Sequence, residues 1–285
     1  MKRVLITGAN SYVGTNVEKW LMREPDKYYV ETLDMKDTNW KNFDFSRFDV
    51  VFHVAGIAHV STKKSMKDLY FKVNRDLTIE TAIKAKESGV KQFIFMSSMI
   101  VYSSKETRIT LETKPNPDNF YGLSKLEAED GIKLLQDHLF NVCILRPPVI
   151  YGPASKGNFH KLIKNSKNIL LFPGYKNTRS SIFIDNLVVF IESYIRNNSG
   201  GIFFPQNREY FSTVEVVKTT RKLIGKSTIE IRVFNFIIHL LKKKLIFLTK
   251  LFSDYYYDIE AKDPIKLVSF YDSLKMTIER YLKNE

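Results

Sequence analysis

The sequence predicts an α/β fold: a doubly wound parallel sheet covered by helices, followed by a smaller C-terminal lobe. Three observations predict it. Short apolar, β-branched runs alternate with amphipathic helical patterns through roughly the first half of the chain. A glycine-containing turn, "GANSYVG", separates the first such run from the first helical pattern. Beyond Gly152 the alternation weakens.

Element by element, "RVLIT" reads as a buried strand, "GANSYVG" as a turn, and residues 12–22 as a helix with Val13, Val17 and Leu21 on one face. "YYVETLD" is a second strand ending at Asp34, and "DVVFHVAG" a third, both with the composition of a buried parallel sheet. A helical pattern over residues 64–88 carries Leu69, Val73 and Leu77 at spacings of four and stops at Gly89, a helix C-cap residue. "KQFIFMSS" is then strand, "FYGLSKLEAEDGIKLLQD" helix and "FNVCILRPP" strand. In the second half "LLFPG" and "SSIFIDNL" read as short apolar pieces in loops, and helices are expected over 213–224 and 270–282. The expected division is a first domain of residues 1–155, to which 179–190 return, and a lobe of residues 156–285.

Bulk properties narrow the function. The chain of 285 residues is long enough for one large core or a large and a small one. Cys143 is the single cysteine, so a disulfide framework is excluded and a reducing cytoplasm is the expected compartment. The N-terminus meets its glycine turn after too few apolar residues for a signal peptide, and the most apolar stretch, "VFNFIIHLLKKKLIFL", is interrupted by Asn235, His239 and three lysines. The net charge of +13 favours an anionic partner. It is read as spread along the chain without a long basic block, which argues against nucleic acid. His53, His59, His138, His160 and His239 show no metal-ligand spacing, so no metal is expected, and His53 reads as a packed residue at a strand end.

Two stretches carry chemistry. In "TGANSYVG", Gly8 and Gly14 lie between a strand and a helix, with Ser11 and Tyr12 inside the turn. Glycine lets the backbone approach a pyrophosphate, whose charge then meets the helix N-terminus. Asp34, 20 residues past Gly14, ends the second strand, where a carboxylate accepts hydrogen bonds from ribose hydroxyls. This favours NAD; Lys36, two residues on, keeps NADP open.

The second stretch is "YGLSK", which puts Tyr121 and Lys125 on one helix face. A free phenol has a pKa of about 10. An ammonium about 4 Å away is worth roughly 4 kcal/mol at an effective dielectric near 20, enough to bring the phenol toward neutrality. Tyr121 would then exchange a proton with a substrate hydroxyl. Ser98, at the end of "KQFIFMSS", is the expected companion that holds the reacting oxygen, with Ser97 the alternative.

Together "TGANSYVG", Asp34, "DVVFHVAG", "KVN", "SSMIVY", "PNPDNFYGLSKLEAE", "ILRPPVIYGP" and "RSSIFIDNL" resemble the extended short-chain dehydrogenase/reductase family. The resemblance is to its NAD-dependent epimerase/dehydratase branch, which modifies nucleotide sugars. It implies a Rossmann-like domain with a substrate-binding lobe. It makes Ser98, Tyr121 and Lys125 the catalytic trio, with Lys125 also holding the nicotinamide ribose. It places Ala55, Gly56 and Pro147 along the dinucleotide and Asn74 in the helix beside it. Arg179 and Asn158 would meet the diphosphate, and Phe172 would wall the uracil pocket. An arginine fork suits a diphosphate; the plain alternatives are a surface ion pair for Arg179 and a core position for Phe172. The resemblance further implies a homodimer and a setting in surface polysaccharide synthesis.

Two departures bear on the reaction. Ser98 is followed by Met99 and Ile100, where sugar 4,6-dehydratases carry an Asp-Glu pair, so dehydration lacks its acid and base. Val149 stands where typical UDP-galactose 4-epimerases have asparagine, which tips the reading toward reduction of a UDP-4-keto-6-deoxy-N-acetylhexosamine, with C4 epimerisation the alternative. A non-catalytic NAD-binding sensor is the rival from another class, and it would be expected to lose Tyr121 or Lys125. "FIIHLLKKKLIFL", with Lys242, Lys243 and Lys244, reads as a lobe helix whose lysines face water; an amphipathic segment resting on a membrane surface is the lesser reading.

Overall fold

The computed structural model of the protein describes residues 1–58, 64–241, 245–259 and 266–283. His59 and Lys242 to Lys244 lie outside the described residues. The chain divides into two compact units: Met1–Ser104, Lys114–Pro147 and Leu187–Pro205 form the first, and Lys105–Thr113, Pro148–Asn186 and Gln206–Glu285 the second. The first unit is thus interrupted at residues 105–113, its second segment ends at Pro147 instead of the expected 155, and its last segment is 187–205.

In the first unit β1 (Lys2–Thr7), β2 (Tyr28–Leu33), β3 (Val50–His53), β4 (Gln92–Met96), β6 (Asn141–Leu145) and β10 (Gly201–Phe203) form one parallel sheet in the order β10-β6-β4-β3-β1-β2. Consecutive Val4, Leu5 and Ile6 are all fully buried, as strands covered on both faces require. One face carries α3 (Leu77–Glu87) and α4 (Phe120–Lys133), whose Ala82, Ala85, Ala128 and Ile132 pack with Leu5, Phe93 and Phe95. The chain leaves β1 for β2 on one side and returns to β3 on the other. This makes the C-terminal ends of β1 and β3 the switch point, where ligands bind in open α/β sheets.

The pattern over 64–88 is not one regular helix. It runs through α2 (Lys67–Tyr70) and a wider turn with i to i+5 bonding at Phe71–Asp76 before α3, and Gly89 follows at φ +78°. Such bulges collect at functional positions. The segment "SSIFIDNL", expected to be loop, is β9 (Ser181–Phe183) running into α6 (Ile184–Arg196). Leu187, Val188, Phe190, Ile191 and Ile195 of α6 are all buried, and a helix apolar on most sides lacks the one-faced signature that marks a surface helix. Gln92 and Lys2 take its last carbonyls, at Tyr194 (2.9 Å) and Ile195 (2.6 Å).

The second unit is built from α5 (Asn158–Ser166), α7 (Thr213–Leu223), α8 (Val233–Leu241), α9 (Ile246–Phe252), α10 (Phe270–Lys283) and three two-stranded pairs. These pairs are β7 (Val149–Tyr151) with β9, β8 (Leu171–Pro173) with β11 (Ile229–Ile231), and β5 (Arg108–Ile109) with β12 (Tyr256–Tyr257). Strands of two or three residues carry too little alternation to be read from the chain.

Candidate functional site

The turn after β1 holds a backbone shape that side chains resist. Gly8 sits at φ +106°, and its N–H and that of Ala9 both donate to the Leu33 carbonyl at the end of β2. A Cβ on Gly8 would lie 2.7 Å from the Ala55 nitrogen, so the β1 turn and the loop after β3 touch backbone to backbone. Ser11, in place of a glycine, caps α1 (Tyr12–Leu21): its Oγ accepts from the Gly14 N–H at 3.1 Å. Gly14 in turn lets α1 lie against Ile6 and Val54. Asp34 is exposed just past β2, with Oδ1 accepting from the Lys36 N–H at 3.0 Å.

Behind this strip runs a chain of hydrogen bonds that the sequence did not suggest. Thr78 donates to the Asn74 carbonyl (2.8 Å), so it accepts from His53 Nε2–H (3.1 Å), which leaves His53 Nδ1 to accept from Thr7 (2.7 Å). Asn74, fully buried in the wide turn, accepts from Ile57 N–H (2.9 Å) and donates to the Ile57 carbonyl and to Ser124. The side chain expected beside a dinucleotide is therefore spent on clamping the Ala55–Gly56 loop to α4. His53 is a packed residue, stacked on Phe93, and burial pushes its imidazole down to about 3.

The serine pair separates cleanly. Ser97 is buried and donates to Glu129, whereas Ser98 Oγ accepts from Ile100 N–H and hydrogen-bonds the Tyr121 phenol. Asn119 caps α4 by accepting from Gly122 N–H at 2.9 Å, which sets Tyr121 in the first turn. Gly122 allows that turn to press against the serine loop, since a Cβ there would be 2.4 Å from the Ile100 carbonyl oxygen. The loop is tied below by Met99 N–H donating to the Pro147 carbonyl at 2.9 Å.

One expectation is corrected here. Lys125 does not bring the phenol toward neutrality: its ammonium donates to the Met96 carbonyl (2.9 Å) and lies 4.6 Å from the Phe95 ring centre. Burial lifts Tyr121 to about 12, with the Ser98 hydrogen bond pulling it down and neighbouring Tyr70 pushing it up. Burial also pushes Lys125 down to about 8, against the pull of Glu129. Desolvation outweighs the pairing because Lys125 is buried, Tyr121 is largely covered and the ammonium has found a carbonyl. The Lys125 Nζ stands 3.3 Å from where a Gly56 Cβ would be, so the lysine faces the loop after β3.

Under Tyr121 and Lys125 lies a buried ion pair. Glu129, the next polar residue on that face of α4, receives a forked bond from Arg146, with contacts of 3.0 and 2.5 Å. Arg146 also donates to the Tyr102 hydroxyl at 2.7 Å. Polar residues at 121, 125 and 129 on one buried face were the available signal for this pair.

The remaining predicted residues belong to the second unit. Asn158 is exposed at the start of α5, after Gly157 at φ +106°. Arg179 exchanges backbone bonds with Phe211 and donates to the Ser253 carbonyl (3.2 Å), and burial holds its guanidinium below the usual range. Phe172 does not stand as a pocket wall. It is 7% exposed and packs with Val214, Val217, Ile238 and Phe252, because as the central residue of β8 it points into that unit's core. Among the described residues no cluster of metal-ligating side chains occurs.

Comparison with known proteins adds a lineage to this geometry. A family model described as NAD dependent epimerase/dehydratase family matches residues 4–203. A UDP-glucose 4-epimerase of Vibrio cholerae is 33% identical over 254 residues, 80% of this chain and 77% of that one. An N-acetyl-alpha-D-glucosaminyl-diphospho-ditrans,octacis-undecaprenol 4-epimerase of Escherichia coli O157:H7 is 27% identical over 215 residues, 70% and 64% of the two chains. Among solved structures, UDP-glucuronic acid 4-epimerase from Bacillus cereus in complex with NAD superposes with a TM-score of 0.77 over 99% of both chains at 20% identity. A dTDP-4-dehydrorhamnose reductase from Bacillus anthracis in complex with NADP gives 0.71 at 19% identity over 100% of this chain and 99% of that one.

Proposed function

Because this chain belongs to the NAD dependent epimerase/dehydratase family, we propose that it holds NAD and interconverts the configuration at C4 of a diphosphate-linked sugar, in the first instance a UDP-hexose. The observation that carries the reading is the hydrogen-bonded Ser98–Tyr121 pair, with Lys125 one helical turn on and facing Gly56 at the strand ends.

The residues fit the cofactor. The Gly8 turn leaves backbone where a Cβ would not fit, the α1 N-terminus favours a pyrophosphate, and exposed Asp34 suits a ribose diol. The Asp34 charge repels a 2′-phosphate, which favours NAD over NADP even with Lys36 close by. Ala55, Gly56 and Pro147 would line the nicotinamide half, while Asn74 acts from behind. Lys125 donates one N–H to the Met96 carbonyl and would donate others to the nicotinamide ribose. When bound, oxidised NAD would supply a reversible hydride acceptor able to serve either face of the sugar's C4, and a positive charge that would lower the phenol's pKa.

Tyr121 then takes the C4 hydroxyl proton and returns it, and Ser98 holds that oxygen in line. Arg179 and Asn158 are the proposed diphosphate contacts. Dehydration is not proposed, since Met99 is buried and neither it nor Ile100 can move a proton. A homodimer through α3 and α4 is supported by exposed Ile83 and Leu123, and envelope polysaccharide synthesis in the cytoplasm is the setting the family suggests. No helix among the described residues is long and apolar enough to cross a membrane.

A second reading, reduction of a UDP-4-keto-6-deoxy-N-acetylhexosamine, is favoured by Val149 and by a phenol that is a proton donor at neutral pH. Nicotinamide absorbance and sugar analysis separate the two. Interconversion of UDP-glucose and UDP-galactose, or of their N-acetyl forms, without net absorbance change and lost in Tyr121→Phe, supports epimerisation. Stoichiometric consumption of reduced cofactor by the keto sugar supports the reductase. Neither activity in a protein that retains NAD would leave the non-catalytic sensor.

A further inference from the structure

Helix α8 buries almost none of its apolar surface. Its sequence, VFNFIIHLL, is apolar at seven of nine positions, yet Ile238 is its one buried residue. Val233, Phe236 and Leu240 are 68%, 69% and 55% exposed, and Phe234, Ile237 and Leu241 are also exposed. The helix packs against β8, where Leu171 and its register partner Ile229 on β11 are half exposed as well. A surface helix normally turns its apolar stripe inward and leaves polar residues out. Apolar exposure on this scale marks an interaction surface.

The charge of this stretch of the sequence is as one-sided. Residues 218–250 contain nine lysines and arginines and one acid, Glu230, so eight of the chain's thirteen net positive charges fall in this segment. The excess is thus concentrated, contrary to the expectation that it is spread. Lys222 and Lys226 line one open hollow together with Lys218, which pairs with Glu230, and exposed Arg232 directly precedes α8.

We propose that α8 and its basic surroundings form a peripheral docking surface for an anionic phospholipid bilayer. The apolar side chains enter the boundary between headgroups and acyl chains while the cations meet lipid phosphates, the pairing that holds interfacial helices on membranes. At about 1.5 Å per residue the nine residues reach about 14 Å, so the helix lies in the interface and does not span a core of ~30 Å. A second copy of the chain is the poorer occupant: a two-fold interface sets a patch against itself and would face this concentration of positive charge with its duplicate.

Vesicle sedimentation of the full chain tests the proposal. Vesicles containing phosphatidylglycerol should bind at least about tenfold more tightly than pure phosphatidylcholine, and added salt should weaken that binding. Phe236→Glu combined with Ile237→Glu should lower it at least about tenfold while leaving urea unfolding unchanged, as both side chains face solvent. In Phe236→Trp, indole emission should shift to the blue and be quenched by lipids brominated near the headgroup. Absence of binding to anionic vesicles, or equal binding by the double variant, overturns the proposal. So does a dimer that the double variant converts to monomer without any vesicle binding, which would assign this face to a second copy.

Discussion

Acid should destabilise this protein through the buried His53. The unfolded chain binds a proton on that imidazole near 6.5, and the folded one only near 3, because the ring is buried with both nitrogens already paired to threonines. Between those values the unfolded state holds more protons, so stability falls as pH falls through the window. From about pH 6.5 to 5 the loss is about 2 kcal/mol, and over the whole window about 5 kcal/mol, at 1.36 kcal/mol per pKa unit. Urea unfolding followed by tryptophan emission, to which buried Trp40 contributes, would be run near pH 7.5 and near pH 5. His53→Gln should cost stability at the higher pH through a lost hydrogen bond but show a drop smaller by about 2 kcal/mol on acidification. Asp49 and Asp137, both held low by basic partners, act equally in both proteins. Equal drops in the two proteins would refute the assignment of the acid step to His53. Since His53 is tied through Thr78 and Asn74 to the Ile57 loop, retained NAD should be released over the same range in the parent protein.

Gly122→Ala puts a methyl 2.4 Å from the Ile100 carbonyl oxygen and 2.7 Å from Pro117 Cβ, so the first turn of α4 must move away from Ser98. The expected result is a kcat about 10²-fold lower with a stability loss of about 1–3 kcal/mol, read by steady-state kinetics and urea unfolding. Arg146→Met strands Glu129 in the core and should cost about 3–5 kcal/mol. Adding Glu129→Leu should recover most of that loss, and a double variant as unstable as the single one would show that the buried charge is not the cause.

Much of the site was legible in the chain because its signals are local. A strand, a turn with Gly8 and Gly14, an acid at residue 34 and a tyrosine four residues before a lysine each depend on neighbours within one or two elements. Other features were hidden because they depend on burial or long-range pairing. β10 is a three-residue edge strand that forms only against β6, and α6 is too thoroughly buried to show a face. The Thr7–His53–Thr78–Asn74 chain joins residues far apart in sequence.

The sequence by itself marked the alternation of strands and helices in the first half, the glycine turn after β1, and Ser98, Tyr121 and Lys125 as candidate site residues, since periodicity and turn chemistry act over a few residues. Only the tertiary structure decided that Ser98 and not Ser97 meets the phenol, that Lys125 turns to Met96, that Phe172 is core, and that α8 leaves its apolar face open. Each of these depends on which surfaces lose contact with water, and desolvation is a property of the packed chain that no short stretch of it carries.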